Sequence, residues 1–200
     1  MSRVVPLAAL LTLAGAAPSA QINTGDPLPV AGQTFDTASG ARSSLAASAG
    51  RAGLVVVFWS TTCPWADRYA PRLAELVDGY QSAGFGFVLV DSNGPDALRR
   101  PLADSLALPV LLDPAGEIAG AFGARRAPHA FLFGPGLTLI YDGSIDDSPA
   151  SADRVRIPYL AQAMDQSVAG LPIEIQRTQA FGCTTDRGPS RVTPTPGTPE

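Results

Sequence analysis

An uninterrupted apolar run, Gly53-Leu-Val-Val-Val-Phe-Trp59, is the feature that most constrains the fold of this chain. Its β-branched and aromatic residues favour a strand, and the lack of polar residues indicates that both faces of the strand are buried. Such a strand lies inside a sheet that other elements cover on each side. The 200-residue chain is therefore expected to build an α/β core around this segment.

The hydrophobic period changes directly after this strand, at Cys63-Pro64. Pro64 suits the first turn of a helix, where its missing N–H costs nothing, whereas Pro71 falls inside the helix and is expected to kink it. The apolar residues that follow recur at helical spacing: Ala66, Tyr69, Ala70, Leu73, Val77 and Tyr80. Cys63 is thus predicted at the carboxyl end of a central strand and the start of a helix, where open α/β sheets usually place their chemistry.

The remaining patterns predict an alternating order of strands and helices. An N-terminal hairpin is expected around Gln33–Phe35 and Arg42–Leu45. Further strands are expected in residues 84–93, in 109–113 and on both sides of a turn at Gly134-Pro135-Gly136. Helices are expected at Asp96–Leu106, in residues 116–124 and at Asp153–Ala169, the last of which contains Pro158. This order implies a mixed central sheet with helices on both faces and an N-terminal hairpin extension.

The two ends of the chain differ in composition from its centre. Residues 1–20 resemble a secretory signal peptide, with Arg3 followed by an apolar run of about 14 residues. That run is shorter than the roughly 20 residues of a membrane helix, so no stable membrane anchor is expected. Residues 187–200 form a Pro/Thr-rich segment that is expected to be a disordered tail. Residues 21–186 are left as one domain.

The charge pattern excludes some partners and indicates a compartment. The net charge is −4 and the basic residues are scattered, which argues against nucleic-acid binding. All fourteen basic residues are arginine, a bias typical of GC-rich bacterial genomes. Together with the leader, this composition favours a periplasmic or secreted bacterial protein.

Two readings of Cys63 remain open from the residues alone. A thiolate at a helix N-terminus is stabilised by unpaired N–H groups, so its pKa should fall below about 8.5 and it should react with disulfides, peroxides or metals. Alternatively, an exported protein with two cysteines often carries one structural disulfide, here between Cys63 and Cys183. Such a bond would stabilise the fold by about 5 kcal/mol in the chain-entropy model.

Several segments, in order, resemble the thioredoxin superfamily. Val55–Pro64 is similar to its active-site strand and turn, and Pro71 to the proline of its active-site helix. The segments Gly120–Phe133 and Leu137–Asp147 are similar to its cis-proline segment and the hairpin that follows. Within the superfamily, residues 25–185 are most similar to the redoxin group related to alkyl hydroperoxide reductases and thiol-specific antioxidant proteins, in particular to members with a Cys-Pro-x-Ala turn.

The resemblance implies roles for particular residues. Cys63 is the expected nucleophile, and Cys183, in a Gly-Cys pair, its possible resolving partner. Pro128 is the expected cis-proline, and Ala127 would offer its backbone N–H and C=O to an extended substrate. Trp65, beside the active turn, is expected to contact a partner. The only histidine, His129, is either a base or simply the start of a strand.

The chain also departs from its relatives' motifs. Ala66 replaces the second cysteine of the thioredoxin turn, and Val57 replaces its buried acid. Peroxiredoxins place Thr and Pro where this chain has Ser60 and Val56. Three functions therefore remain: a thiol–disulfide oxidoreductase, a peroxiredoxin-like enzyme that reduces peroxide, or a non-catalytic binding module with a structural disulfide.

The expected partners follow from these functions: protein thiols and disulfides or a peroxide, and a periplasmic dithiol reductant. No cofactor and no metal are expected, because two cysteines and one histidine cannot complete an ordinary zinc site. A copper relay through Cys63, Cys183 and His129 is a weaker alternative. Asp142, Asp146 and Asp147 could suggest a cation site, but a solvated hairpin turn is the simpler interpretation.

Overall fold

A computed structural model of the chain describes residues 21–91 and 108–185. The expected leader, the expected helix at Asp96–Leu106 and the expected tail all lie outside the described residues. In the described part, the strands are β1 (Thr34–Asp36), β2 (Arg42–Ser44), β3 (Gly53–Trp59), β4 (Phe85–Asp91), β5 (Val110–Leu112), β6 (Arg126–Ala127), β7 (His129–Phe133), β8 (Leu139–Gly143) and β9 (Cys183–Thr184). The α-helices are α1 (Pro64–Gln81), α2 (Glu117–Phe122) and α3 (Tyr159–Val168).

Among the described residues, the central sheet has five strands in the order β5-β4-β3-β7-β8. Strand β3 pairs in parallel with β4 and antiparallel with β7, so the sheet is mixed as predicted. All seven residues of β3 are buried, which agrees with its unbroken apolar sequence. Because β3 is the middle strand, its carboxyl end brings residues 60–63 to the centre of one edge of the sheet.

Alternate residues of β3 enter two different cores, one on each face of the sheet. Val55, Val57 and Trp59 pack on the face that carries α1 and α3. Leu54, Val56 and Phe58 pack on the other face, where α2 contributes Ile118 and Phe122 to the core. The prediction of helices on both faces is therefore confirmed. The N-terminal hairpin is confirmed as well, since β1 and β2 pair antiparallel.

The expected helix at Asp153–Ala169 is wrong in its first half. Ala152–Arg154 form one 3₁₀ turn, and α3 begins only at Tyr159, with Pro158 as the residue before its first turn. Proline has no N–H to give to a helix interior, whereas at a helix start no such bond is needed. Pro158 therefore starts α3 rather than interrupting a longer helix.

A buried ion pair fixes α1 to the loop after β8. Arg72 Nη1 lies 2.5 Å from Asp146 Oδ2, and the side chains are only 11% and 4% exposed. Tyr69 Oη donates a hydrogen bond of 3.1 Å to the other carboxylate oxygen of Asp146. The backbone N–H of Ser148 donates to that same oxygen. The Asp146 carboxylate thus connects α1, the helix that follows Cys63, with the loop 145–148.

The expectation of a solvated acidic turn is therefore wrong for two of its three carboxylates. Asp142 is fully buried and Asp146 nearly so, and each accepts hydrogen bonds from an arginine side chain. Only Asp147 is exposed. Burial of the first two is tolerated because each charge has a cationic partner.

Asp146→Ala is expected to destabilise the fold strongly, since it leaves the Arg72 guanidinium buried without its partner. Loss of one member of a buried ion pair typically costs about 3–5 kcal/mol. The exposed pair between Arg42 and Asp36, at 66% and 77% exposure, provides the control, and Asp36→Ala should change the free energy of unfolding by less than about 1 kcal/mol. Urea unfolding of both variants checks this, and equal losses would contradict it.

Candidate functional site

Cys63 is positioned by the end of β3 and the start of α1. It is the N-cap residue of α1, with extended backbone angles, and Pro64 occupies the first helical turn. The backbone N–H of Ala66 donates to the Cys63 carbonyl at 3.0 Å, which begins the helix. The residue is only 1% exposed. Its sulfur thus lies at the positive end of the helix dipole and is sheltered from solvent.

Cys63 and Cys183 form a disulfide bond, with an S–S distance of 2.04 Å and a Cα–Cα distance of 5.9 Å. The two residues are 120 positions apart in the chain. Neither described cysteine is free. The sequence left open whether the two cysteines pair; in the structure they do, and the second sulfur of the site comes from the far end of the domain.

A short antiparallel ladder holds Cys183 at the site. Ala127 in β6 lies opposite Cys183 in β9, and Arg126 lies opposite Thr184. The N–H of Thr185 donates to the Arg125 carbonyl at 3.0 Å, and Cys63 Sγ lies 3.4 Å from the Ala127 carbonyl oxygen. The backbone edge at Ala127, which was expected to receive an extended substrate, is thus paired with this chain's own β9.

The peptide bond between Ala127 and Pro128 is cis, as the resemblance predicts. Gly182 packs directly against this bond. A Cβ atom at position 182 would lie 2.1 Å from the Ala127 carbonyl oxygen and 2.5 Å from its carbonyl carbon. Any side chain larger than the hydrogen atom of Gly182 would push β9 away from Ala127. Glycine is therefore required before Cys183 for the close approach of these two backbone segments.

Trp65 packs against the segment that carries Cys183. Its ring makes an edge-to-face contact with Phe181, with 4.8 Å between centroids, and the Arg68 guanidinium lies 5.3 Å from the Trp65 ring centroid. Phe181 is itself 45% exposed. The expected contact surface at Trp65 is therefore shared with a residue from the Cys183 segment.

His129 is buried at the start of β7, beside the cis-proline. Its imidazole stacks on Phe131 with 4.2 Å between ring centroids, and neither ring nitrogen has a hydrogen-bond partner among the described residues. Burial, and to a lesser extent the charge of Arg177, lowers the pKa of His129 to about 3. The side chain is therefore neutral at physiological pH, and of the two expectations for it the strand start is confirmed.

The positions that depart from the familiar motifs are apolar or locally bonded. Val57 and Ala66 are buried in the core beneath α1. Ser60 Oγ lies 3.3 Å from Thr62 Oγ1.

Within residues 21–91 and 108–185, no group of three or more His, Cys, Asp or Glu side chains could hold a metal ion. The helices of this same part of the chain include none that is long and apolar enough to cross a membrane.

The profile of the AhpC/TSA family matches residues 24–142, which is more than half of the chain. The match includes β3, the Cys63 turn, α1 and the cis-proline. This chain belongs to the AhpC/TSA family. Cys183 lies outside the matched range, so the family match by itself does not include the second sulfur.

Three similar proteins place the chain within the thioredoxin-like fold. The thiol-disulfide oxidoreductase ResA of Halalkalibacterium halodurans is 28% identical over 82 residues, which is 40% of this chain and 47% of that protein. The chain thus spans about half the length of this curated relative. A solved protein of Sinorhizobium meliloti, described as hypothetical, is 27% identical with a TM-score of 0.72, over 83% of this chain and 95% of that one. A secreted Mycobacterium tuberculosis disulfide oxidoreductase is 20% identical with a TM-score of 0.51, over 69% and 95% of the two chains.

Sequence reasoning missed the pairing of β9 with β6. The strand has only two residues, too few for a period to be recognised. The signal that could have indicated it is Gly182, since a glycine inside a strand often marks a close approach of another backbone. It likewise missed that Arg177 would lie against Asp142, because those residues are 35 positions apart.

Gly182→Ala is expected to push β9 away from Ala127 and so make the disulfide easier to reduce. Gly32→Ala provides a matched control, because a Cβ atom there meets no other atom within 4 Å. Titration with a dithiol buffer, followed by thiol alkylation and mass spectrometry, measures the reduced fraction. We expect G182A to be reduced at a lower dithiol concentration than the parent and G32A to match the parent; identical curves for all three would contradict the close approach.

The stability of the fold should fall on acidification in part because of His129. Its folded-state pKa of about 3 lies below the ordinary value of 6.5, so between these pH values the unfolded chain binds a proton that the folded chain excludes. The contribution of the neutral His129 to the free energy of unfolding is fully present above about pH 6.5 and is lost as pH falls toward 3. The free energy of unfolding then changes by up to about 1.4 kcal/mol per pH unit. Urea unfolding from pH 7 to 4 should show a shallower decline for His129→Leu than for the parent; parallel curves would contradict the lowered pKa.

Proposed function

We propose that this protein is an exported thiol–disulfide oxidoreductase in which Cys63 and Cys183 are the redox couple. The observation that carries the proposal is the disulfide between the N-cap residue of α1 and a cysteine that pairs beside the cis-proline. Membership of the AhpC/TSA family and the partial match to ResA, itself a thiol-disulfide oxidoreductase, support this class of activity.

The helix N-terminus supplies the chemical reason for assigning Cys63 as the nucleophile. After reduction, a thiolate at this position is stabilised by the unpaired N–H groups of the first turn and by the helix dipole. A stabilised thiolate is both a better leaving group and more abundant at neutral pH. Cys183 lies in a two-residue strand without such a helix end, so it is the proposed resolving residue.

In the first half of the proposed cycle, a periplasmic dithiol reduces the protein. One thiolate of the reductant attacks Cys183 Sγ, because Cys183 is less buried than Cys63. The Cys63–Cys183 bond breaks, and Cys63 leaves as a thiolate. The second thiolate of the reductant attacks the mixed disulfide and releases Cys183 as a thiolate. The reductant leaves as a disulfide, and two electrons have entered the protein.

In the second half, a substrate disulfide accepts these two electrons. The Cys63 thiolate attacks one substrate sulfur, forms a mixed disulfide and releases the other sulfur as a thiolate. Cys183 then attacks Cys63 Sγ, which restores the internal disulfide and releases the second substrate thiolate. The substrate gains two electrons and, after protonation, becomes a dithiol.

The residues around Ala127 are the proposed substrate surface. Once the disulfide is reduced, β9 is still held by its short ladder, by hydrogen bonds of Arg126 to the Gly182 carbonyl and of Thr185 to the Ala124 carbonyl, and by the contact of Phe181 with Trp65. A substrate segment that replaces β9 would pair with the Ala127 backbone, pass Pro128 and contact Trp65. Protein thiols and disulfides that present an extended segment are therefore the proposed partners.

Each of the two alternative functions is supported by one observation. Family membership itself favours reduction of a peroxide, in which Cys63 would pass through a sulfenic acid that Cys183 resolves. The nearly complete burial of Cys63 favours a non-catalytic binding module with a structural disulfide.

The proposal of export rests on the leader-like composition of residues 1–20. An exported protein is also consistent with a disulfide, because such bonds persist in oxidising compartments.

The three functions are separated by Cys63→Ser and Cys183→Ser. With a disulfide-bonded peptide and a dithiol reductant, the parent should catalyse exchange, and C63S should lose activity by at least about a hundredfold, because no thiolate remains at the helix end. C183S should accumulate a mixed disulfide between Cys63 and the peptide, detected by mass spectrometry. The double variant C63S/C183S serves as the control without redox chemistry.

Other results with these variants would favour one of the alternative functions. A C183S protein that turns over as fast as the parent would remove Cys183 from the cycle. Sulfenic acid at Cys63 in C183S at micromolar peroxide, without exchange activity, would assign the peroxidase. A parent disulfide that resists reduction, with a reduction potential well below about −300 mV, would assign the binding module.

A further inference from the structure

The β9 segment (residues 180–185) occupies the proposed substrate surface in the oxidised protein. The chain directly before this segment is fixed to the end of β8, where Ser144 Oγ donates to the Gln179 carbonyl at 2.9 Å. The β9 segment itself contacts residues 124–127 and the first turn of α1. A substrate that takes its place therefore requires residues 180–185 to swing away, and it then meets the same groups.

Gly182 shows what the groove admits directly before the bonded cysteine. A Cβ atom at this position would overlap the Ala127 carbonyl group and lie 2.9 Å from Pro128 N. Gly182 does not have a positive φ, so lack of space, rather than an unusual backbone conformation, requires glycine there. The overlapping atoms belong to the groove and not to β9. A substrate cysteine that is bonded to Cys63 in the same register must therefore also follow a glycine.

Phe181 indicates a preference for an aromatic side chain one residue earlier. Its ring meets the Trp65 ring edge to face, with 4.8 Å between centroids. Aromatic pairs of this kind attract each other beyond the apolar area that they bury. Trp65 belongs to α1 and not to the β9 segment, so its ring remains available to an aromatic side chain of a substrate.

Main-chain contacts complete the groove without selecting side chains. Arg126 donates to the Gly182 carbonyl at 3.1 Å, and the N–H of Thr185 donates to the Arg125 carbonyl at 3.0 Å. Any substrate backbone in this register offers the same carbonyl and N–H. In strand addition such bonds supply affinity, whereas side-chain contacts supply specificity. Specificity is thus expected at the two positions before the substrate cysteine.

We propose that the preferred substrates are disulfides of extended peptide segments in which the attacked cysteine follows a glycine, with an aromatic residue before that glycine. This substrate class rests on the proposed disulfide exchange. The Cys63 thiolate attacks the sulfur of the substrate cysteine, and the electron pair of the broken S–S bond leaves on the other substrate sulfur. The β9 segment, with its own Phe181-Gly182-Cys183 sequence, is the internal competitor that returns when Cys183 attacks Cys63 Sγ and releases the peptide thiolate.

Peptides that copy residues 180–185 test this class directly. The reduced full chain with Cys183→Ser is mixed with Ala-Phe-Gly-Cys-Thr-Thr, whose cysteine is bonded to thionitrobenzoate, a thiol that leaves readily because its pKa is low. Attack of Cys63 on the peptide sulfur releases coloured thionitrobenzoate. Each rate is divided by the rate of the same peptide with free glutathione, which corrects for the intrinsic reactivity of its disulfide.

We expect both positions before the peptide cysteine to affect the corrected rate. A peptide with alanine in place of glycine should react at least about tenfold more slowly, because its methyl group overlaps the Ala127 carbonyl. A peptide with alanine in place of phenylalanine should react about fivefold more slowly, because it lacks the ring contact with Trp65.

Trp65→Ala is the test variant, and Val168→Ala is its matched control. Val168 is also an apolar surface residue, 58% exposed, but it shares a surface cavity with Arg51, just before the amino end of β3. Cys63 follows the opposite end of that strand. In the Cys183→Ser background, W65A should lose the preference for phenylalanine and keep the preference for glycine, whereas V168A should keep both.

Phe181→Ala provides a second test, which does not depend on the folding of W65A. The Phe181 ring is 45% exposed, and its removal weakens the hold of the internal competitor on the groove. In the Cys183→Ser background, F181A should release thionitrobenzoate about threefold faster with every peptide, while the order of the three peptides stays the same.

Equal corrected rates for the three peptides would overturn the substrate class and leave disulfide exchange in place. A faster reaction of the peptide with alanine in place of glycine would also overturn it, since glycine weakens extended pairing wherever space is not limiting. The same holds if W65A keeps its preference for phenylalanine or if F181A reacts no faster. Rates no higher than those of glutathione with all three peptides would instead overturn the proposed exchange, and the substrate class with it.

Discussion

The burial of β3 on both faces is the constraint on which the rest of the structure depends. A strand with no polar side must lie between two layers, so β3 becomes the middle strand and its neighbours must supply a core on each side. Its carboxyl end then opens at the centre of the sheet edge, and the helix that starts there is α1. The location of Cys63 therefore follows from the apolar character of the seven residues that precede its turn.

The sequence predicts much of this arrangement because the relevant signals are local. The apolar run of β3, the proline at the start of α1 and the glycine-proline turn between β7 and β8 each act within a few residues. The resemblance to the thioredoxin superfamily adds the cis bond at Pro128, which spacing alone could not indicate.

What the sequence could not predict are relations between distant segments. The burial of Asp146 depends on Arg72, which is 74 positions away, and a run of aspartates read alone looks solvated. The error at Pro158 has a different origin: the predicted helix began at Asp153, within a 3₁₀ turn, and the position of the proline marks where α3 starts instead.

The position of Cys183 has a consequence for the order in which the molecule is assembled. Cys63 and Cys183 are 120 positions apart, and the two sulfurs meet where β9 pairs with β6 beside the cis-proline. The native contact between them therefore needs the end of β3, β6 and the segment that carries β9 to be in place together. Formation of the correct disulfide thus reports that the two ends of the domain have come together, whereas the sheet contacts of β3 with β4 and β7 do not require the bond.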